Sequence, residues 1–171
     1  MCFDKETSLS IFLFGTSCSI YLAYRGICNK SKDDICNSVI LFLVSLMQLI
    51  EYFLWKYPTC NIYNQIASIS IILVLYLQPV ILYYTYKFLN KKKLDKKSSL
   101  VHNSIILFFT FLCIYFIIYL SKNKRSICSF KDPNGCRLVW EPFKILLKNK
   151  KILFLIALFL YFYIYLIIPR N

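Results

Sequence analysis

The sequence contains few glycines and prolines, which interrupt helices and strands, and few acidic residues, which are common on the surface of soluble proteins. Among its 171 residues there are 3 glycines, 5 prolines, 1 histidine and 8 acidic residues. Because glycines and prolines are few, long regular elements are expected. Charged residues make up 17% of the chain and hydrophobic residues 58%, whereas soluble domains average about 25% and about 45–50%. This balance excludes an ordinary soluble domain, a disordered tail and a fibrous protein.

Sequence motifs that carry common chemistry are also missing. The chain has no Cys-x-x-Cys pair, phosphate-binding glycine loop, Gly-x-Ser-x-Gly elbow or paired-histidine motif. The single histidine, His102, is interpreted as a polar residue at a helix end. We therefore predict no catalytic residue, no metal site, no cofactor and no enzymatic activity.

Long apolar stretches fill most of the sequence. Five stretches of 18 to 30 residues carry at most one charge each. A bilayer core requires about 20 mostly apolar residues per helix, and these continuous runs lack the alternation of a barrel strand. The pattern predicts an all-α polytopic transmembrane helical bundle, one integral membrane domain over residues 1–171 with a longer loop, 122–150, before the last span. The five predicted spans lie near residues 7–25, 35–55, 64–89, 99–121 and 151–168. The first span is expected to be retained, with a cleaved signal as the alternative, because the residues before it lack a net positive charge.

The net charge of +13 comes from 21 basic residues, which lie almost wholly between the apolar stretches. In a soluble protein this charge would suggest nucleic acid, but no basic folded domain is left to bind it. Basic residues at the ends of spans anchor helices and contact anionic headgroups. We therefore expect the lipid bilayer, and not nucleic acid, to be the partner. The densest group of basic residues contains Lys91, Lys92, Lys93, Lys96 and Lys97.

The orientation of the chain follows from the lysines and cysteines together. With five spans, 11 basic residues lie on the side of the N-terminus and 10 on the other, so the positive-inside rule is nearly silent. The dense lysine loop favours a cytosolic position for residues 90–97, which predicts an external or lumenal N-terminus; the sequon at Asn29 argues weakly against this. The cysteines that would share the external side are Cys2, Cys60, Cys128 and Cys136.

Cys128 and Cys136 bracket the turn signal Asp132-Pro133-Asn134-Gly135 in the long loop. Disulfides persist in oxidising compartments. A bond that closes this nine-residue loop would contribute about 2.6 kcal/mol in the chain-entropy model. We expect either this disulfide or eight free thiols.

Polar residues inside the spans predict an intramembrane site. Gln48 and Glu51 are three residues apart in the second span and share a face, and Gln78 precedes Pro79 in the third. Because these two helices run antiparallel through a short loop, we expect Gln48 and Gln78 at similar depth. A carboxylate in the bilayer costs about 2.5–3.5 kcal/mol on insertion scales, which favours a polar pocket or ion path. Alternatively, Glu51 anchors the helix end near Lys56, and the glutamines form interhelical hydrogen bonds.

Three small residues, Gly15, Ser19 and Ala23, are spaced by four in the first span. Such a stripe permits close helix packing. The contact is expected either within the chain or between copies in a homo-oligomer.

Three short strings carry a resemblance to a known family. They are Met47–Trp55 (MQLIEYFLW), Leu77-Gln78-Pro79 and Gly135–Trp140 (GCRLVW). In this order they resemble a family of multi-pass membrane proteins encoded by giant DNA viruses of the mimivirus type, over about residues 35–140. The resemblance implies a viral multi-pass membrane protein, and no established activity comes with it. The family has a histidine at the position of Arg137, so no role of that ring is carried over.

Taken together, these features favour a non-enzymatic component of a membrane, such as a host, organelle or virion membrane. The alternative is a small transporter or channel that uses Gln48, Glu51 and Gln78. A weaker alternative is a lipid-modifying enzyme, which the scarcity of His, Asp and Glu inside the spans disfavours.

Overall fold

The computed structural model describes residues 4–90, 96–122, 127–132, 138–142 and 144. Within these ranges the chain forms four helices and one small antiparallel hairpin. The elements are α1 (Lys5–Cys28), α2 (Lys32–Lys56), α3 (Ile62–Asn90), α4 (Lys96–Ser121), β1 (Ser129–Lys131) and β2 (Leu138–Trp140).

Three of these helices are long and apolar enough to cross a membrane: Lys5–Cys28, Lys32–Lys56 and Ile62–Leu89. With 24 to 28 residues at 1.5 Å per residue, each is about 36–42 Å long, and the hydrocarbon core measures about 30 Å. In α4 the apolar part is shorter and covers Ile106–Ser121. The fifth predicted span, residues 151–168, lies outside the described residues.

Helices α1 and α2 form an antiparallel pair whose ends are set by local hydrogen bonds. The side chain of Asp4 accepts a 2.8 Å hydrogen bond from the amide of Thr7 and thereby caps α1. The same bond lowers the pKa of Asp4. Ser31 caps α2 by accepting from the amide of Asp34. Between the helices, Lys30 takes the left-handed conformation that the tight turn requires, with φ of 52°.

Small side chains allow α1 and α2 to pack closely. Gly15 faces Ser45, and a Cβ atom built on Gly15 would lie 3.3 Å from the Ser45 Cβ atom. One turn further along α1, the Ser19 hydroxyl donates a 2.7 Å hydrogen bond to the carbonyl of Ser38. At the turn, a Cβ atom on Gly26 would lie 2.7 Å from Cγ1 of Ile35. The two backbones therefore approach too closely for larger residues at these positions.

Two apolar clusters join the remaining elements. Leu54 of α2 packs on Ala67 and Ile71 of α3, and Leu138 and Trp140 of β2 pack against the same cluster. A second cluster contains Ile72 of α3, Leu120 of α4 and Ile127 just before β1. The hairpin is thus docked on the ends of the helices instead of projecting from them.

The hairpin lies inside the predicted long loop. Its strands pair Ser129 with Trp140, Phe130 with Val139 and Lys131 with Leu138. They flank the predicted turn, whose residues 133–135 lie outside the described part of the chain.

Candidate functional site

A buried side chain, that of Asn64 in the first turn of α3, joins the hairpin to the helices. Its Nδ2 atom donates to the carbonyls of Tyr57 and Ser129, at 2.8 and 2.9 Å. Its Oδ1 atom accepts from the amide of Ser129 at 2.9 Å. Asn64 is fully buried, so both donors and an acceptor of the amide are satisfied where water is excluded. This single residue connects the α2–α3 loop, α3 and β1.

Two further bonds reinforce the same junction. The hydroxyls of Ser68 and Ser129 lie 2.8 Å apart, and Cys60 in the α2–α3 loop forms a disulfide with Cys128. We call this junction the hairpin cap; it comprises Cys60, Asn64, Ser68 and the segment Cys128–Lys131.

The disulfide corrects the pairing expected from the sequence. Cys128 is bonded to Cys60, which is 68 residues away in sequence, and a cysteine forms one disulfide only. The predicted Cys128–Cys136 bond is therefore wrong; Cys136 itself lies outside the described residues. The physical reason is that docking of β1 on α3 brings the α2–α3 loop against Cys128, which proximity in sequence does not reveal. Cys18, Cys28, Cys36 and Cys113 are free thiols.

Aromatic and cationic side chains surround the hairpin cap. The rings of Tyr57 and Tyr63 stack with their centroids 4.9 Å apart. The Lys56 ammonium lies 5.6 Å from the Tyr57 centroid, and the Lys131 ammonium lies 6.0 Å from that of Trp55. Tyrosine, tryptophan and lysine together are typical of the membrane–water interface, which suits this end of the helices.

The polar residues of α2 lie beneath the hairpin cap. Gln48 and Glu51 are both half-buried and lie one turn apart on the same face of α2. Among the described residues, the Oε1 atom of Gln48 is buried with no hydrogen-bond donor. One turn beyond Glu51, the indole nitrogen of Trp55 is likewise buried and has no acceptor within the described ranges. Gln48, Glu51 and Trp55 therefore form a stripe with spare hydrogen-bonding capacity.

Gln78 does not join this stripe. Met47 and Ile71 belong to the same apolar cluster, so Gln48 lies at about the level of Ile71. Gln78 follows Ile71 by seven residues, which is about 10 Å along the helix axis. The structure thus brings Gln48 to Glu51 and leaves Gln78 deeper along α3.

Of the three predicted packing residues, Gly15 and Ser19 are buried against α2 and Ala23 is half-buried. Within the predicted lysine cluster, Lys91, Lys92 and Lys93 lie outside the described residues, and Lys96 and Lys97 begin α4. In the described part of the chain, no three His, Cys, Asp or Glu side chains are grouped so that they could hold a metal ion.

Two residues of the junction carry a signal that is hard to recognise in the sequence. Asn64 is one of three amide residues near the start of an apolar helix, with Asn61 and Gln65, and Ser129 is one of the two serines in the predicted long loop. The available signal for Asn64 is energetic, because burying an asparagine in an apolar segment costs free energy unless its amide is fully hydrogen-bonded.

Comparisons with known proteins add no relative: no family model, no curated protein and no solved structure matches this chain.

Proposed function

We propose that this chain is a multi-pass integral membrane protein with a non-enzymatic role in its membrane, and that the hairpin cap lies on the external or lumenal side. The observation that carries the proposal is the disulfide between Cys60 and Cys128 at one end of three helices long enough to cross a bilayer. Disulfides persist in oxidising compartments. The helices indicate that the chain is anchored in a membrane, and the disulfide indicates which side of the membrane the hairpin cap faces.

The antiparallel order of the helices extends this orientation to the rest of the chain. Helix α2 ends at the hairpin cap and α1 begins at the same end, so the N-terminus shares the external side. The α1–α2 turn and the connection between α3 and α4 then face the cytosol, the side that the dense lysine group within residues 91–97 favours. A fifth span over residues 151–168 and a viral origin, implied by the resemblance described above, belong to the same proposal.

Alkaline carbonate extraction and thiol labelling test this arrangement. The chain should stay in the membrane pellet. A membrane-impermeant maleimide should reach Cys28, a free and exposed thiol at the cytosolic turn, only after permeabilisation. The Cys28→Ser variant identifies that signal. Labelling of Cys28 in intact cells would show that the chain has the opposite orientation. Release of the chain by carbonate would contradict the whole proposal.

A second function, passage of a small cation or proton, is favoured by the stripe beneath the hairpin cap. Hard cations in proteins bind oxygen ligands. Gln48 Oε1 is a buried oxygen without a donor in the described chain, and Glu51 lies one turn away on the same face of α2.

Flux in proteoliposomes tests this second function. A Glu51→Gln change should abolish ion flux, whereas Glu6→Gln, at an exposed position in the first turn of α1, should leave it unchanged. Absence of flux for the unmodified chain under proton, sodium and potassium gradients would exclude this role and leave the first proposal intact.

A further inference from the structure

A groove on the outer surface of α2 and α3 is not used by the hairpin cap or by the polar stripe. Its volume is about 410 Å³, which lies within the range of ligand sites, about 300–1,000 Å³. Its walls include Leu49, Phe53, Tyr57, Tyr63, Ile66 and Ser70. Three of these side chains remain open to the surroundings, since Phe53, Tyr63 and Ile66 are 40%, 60% and 55% exposed.

The groove begins at the interface and runs into the apolar part of the helices. Its outer end is the stacked pair Tyr57 and Tyr63. Its inner end is at Ser70, seven residues further along α3, which is about 10 Å deeper. One leaflet of the hydrocarbon core is about 15 Å thick, so the groove runs in the direction of a lipid chain and matches about two-thirds of its length.

The chemistry of the walls favours an apolar ligand over a polar one. Ser70 is a hydroxyl residue of the inner wall, and its Oγ atom already donates to the carbonyl of Ile66 at 2.8 Å. Cationic charge lies beside the outer end, where the ammonium of Lys56 is 5.6 Å from the centroid of the Tyr57 ring that lines the groove. The site therefore combines an apolar channel with a positive entrance, which complements a long chain that ends in a negative group.

We propose that the α2–α3 groove binds one acyl chain of a glycerophospholipid, with the lipid phosphate at Lys56. The occupant is a lipid of the external leaflet, because the groove opens beside the hairpin cap. This inference rests on the proposed function, since it requires the helices to lie in a bilayer.

The test uses the full chain in phosphatidylcholine vesicles that contain a phospholipid with a photoactivatable acyl chain. After irradiation, the labelled residues are located by peptide mass spectrometry. The adducts should concentrate on the groove residues between Leu49 and Phe53 and between Tyr63 and Ser70. Adducts spread evenly over all exposed apolar residues of α1 to α4, or a cross-linked second copy of the chain at the groove, would overturn the proposal.

Two matched pairs of variants sharpen the test. Ser70→Phe fills the inner end of the groove and should lower the groove adducts about tenfold. Its control is Ser17→Phe, because Ser17 is exposed on α1 and makes the same 2.8 Å bond to the carbonyl four residues earlier. Lys56→Gln at the end of α2 should lower the yield of groove adducts about fivefold, and Lys32→Gln at the start of α2 should leave that yield unchanged. Equal adduct yields in either pair would contradict the proposal.

Carbonate extraction and the intact Cys60–Cys128 bond serve as the folding check for every variant. If Ser70→Phe fails this check, the proposal is tested by the two lysine variants and by the adduct positions in the unmodified chain. Loss of membrane retention in the unmodified chain would remove the proposed function as well. Full retention without groove adducts would remove the lipid site alone.

Discussion

The two ends of α2 are joined to their neighbours by different means. From its N-terminus to its middle it packs on α1 through residues that have little or no side chain. The polar contacts there are a serine hydroxyl bonded to a backbone carbonyl and an exposed Arg25–Asp34 pair. Its C-terminal end joins α3 and the hairpin through a buried amide, a disulfide and an apolar cluster. The contact between α1 and α2 requires only small residues that let the backbones approach. The contact of α2 with α3 and the hairpin requires particular side chains. Substitutions should therefore act by crowding at one end and by loss of bonds at the other.

The largest effect is expected when the disulfide is removed in the double variant Cys60→Ser and Cys128→Ser. The bond closes a loop with a separation of 68 residues, which corresponds to about 4 kcal/mol in the chain-entropy model. Unfolding by SDS in mixed micelles should occur at a clearly lower denaturant fraction. The control is Cys28→Ser, which removes a free thiol. Equal midpoints for the double variant and its control would mean that the bond does not stabilise this end.

The next largest effect is expected for Asn64→Ala. This change removes three hydrogen bonds, one to the carbonyl of Tyr57 and two to the backbone of Ser129. Each is worth about 1 kcal/mol, so a loss of about 3 kcal/mol is expected. The amide of Ser129 should also exchange with deuterium faster. Asn37→Ala, at an exposed position on α2, should change neither quantity. Unchanged exchange at Ser129 in the Asn64 variant would show that the hairpin is held by other contacts.

A smaller effect is expected for Gly15→Ala, where the middle of α1 packs on α2. The added methyl group meets the Ser45 hydroxyl, which is itself fixed by a 2.7 Å bond to the carbonyl of Leu41. Overpacking of this kind costs about 1–3 kcal/mol. Adding Ser45→Gly should recover most of the lost stability because it returns the space, and the same SDS titration measures both variants. Failure of the second change to rescue the first would argue against close packing at this point.

The smallest effect is expected for Arg25→Gln at the α1–α2 turn. The guanidinium makes two bonds to Asp34, at 2.6 and 2.8 Å, but Arg25 is 45% exposed, so water and salt screen the pair. The loss should be below that of Gly15→Ala, and it should fade in high salt. A loss that persists undiminished at high ionic strength would indicate a contribution other than charge pairing.

Helices were the most predictable part of this fold, because uncharged stretches set their positions within a few residues. Helix α2 illustrates the remaining error: it begins at Lys32, three residues before the predicted span. Asp33 and Asp34 belong to its first turn, where acidic side chains are favourable near the positive end of the helix dipole. The predicted span was defined by the absence of charged residues, so it begins only at residue 35. The helix itself extends through the charged residues before that position.

The contacts between elements were harder to predict, since they depend on how far apart residues lie after packing. The small-residue stripe was expected every four residues, but the buried residues of α1 are Ser8, Gly15, Ser19 and Gly26. Their spacings of seven and four follow the repeat of two helices that stay in contact over a long distance. Ala23 fits the four-residue pattern and is only half-buried.

The intramembrane polar site shows the same limit. A short loop makes neighbouring helices antiparallel but does not place every polar pair at one depth. Gln48 lies nine residues before Tyr57, whereas Gln78 lies sixteen residues after Ile62, and this difference separates them. The disulfide partner of Cys128 required the docked hairpin, which no local pattern in the sequence reveals.

The bond between Cys60 and Cys128 also makes a covalent ring that contains all of α3 and α4. A protease that cuts once between these two helices would open the ring without separating its pieces. On a non-reducing gel the nicked chain would still run as one species, and a reductant would divide it into two. The protein would thus lose the continuity of its backbone between α3 and α4 and still remain a single molecule.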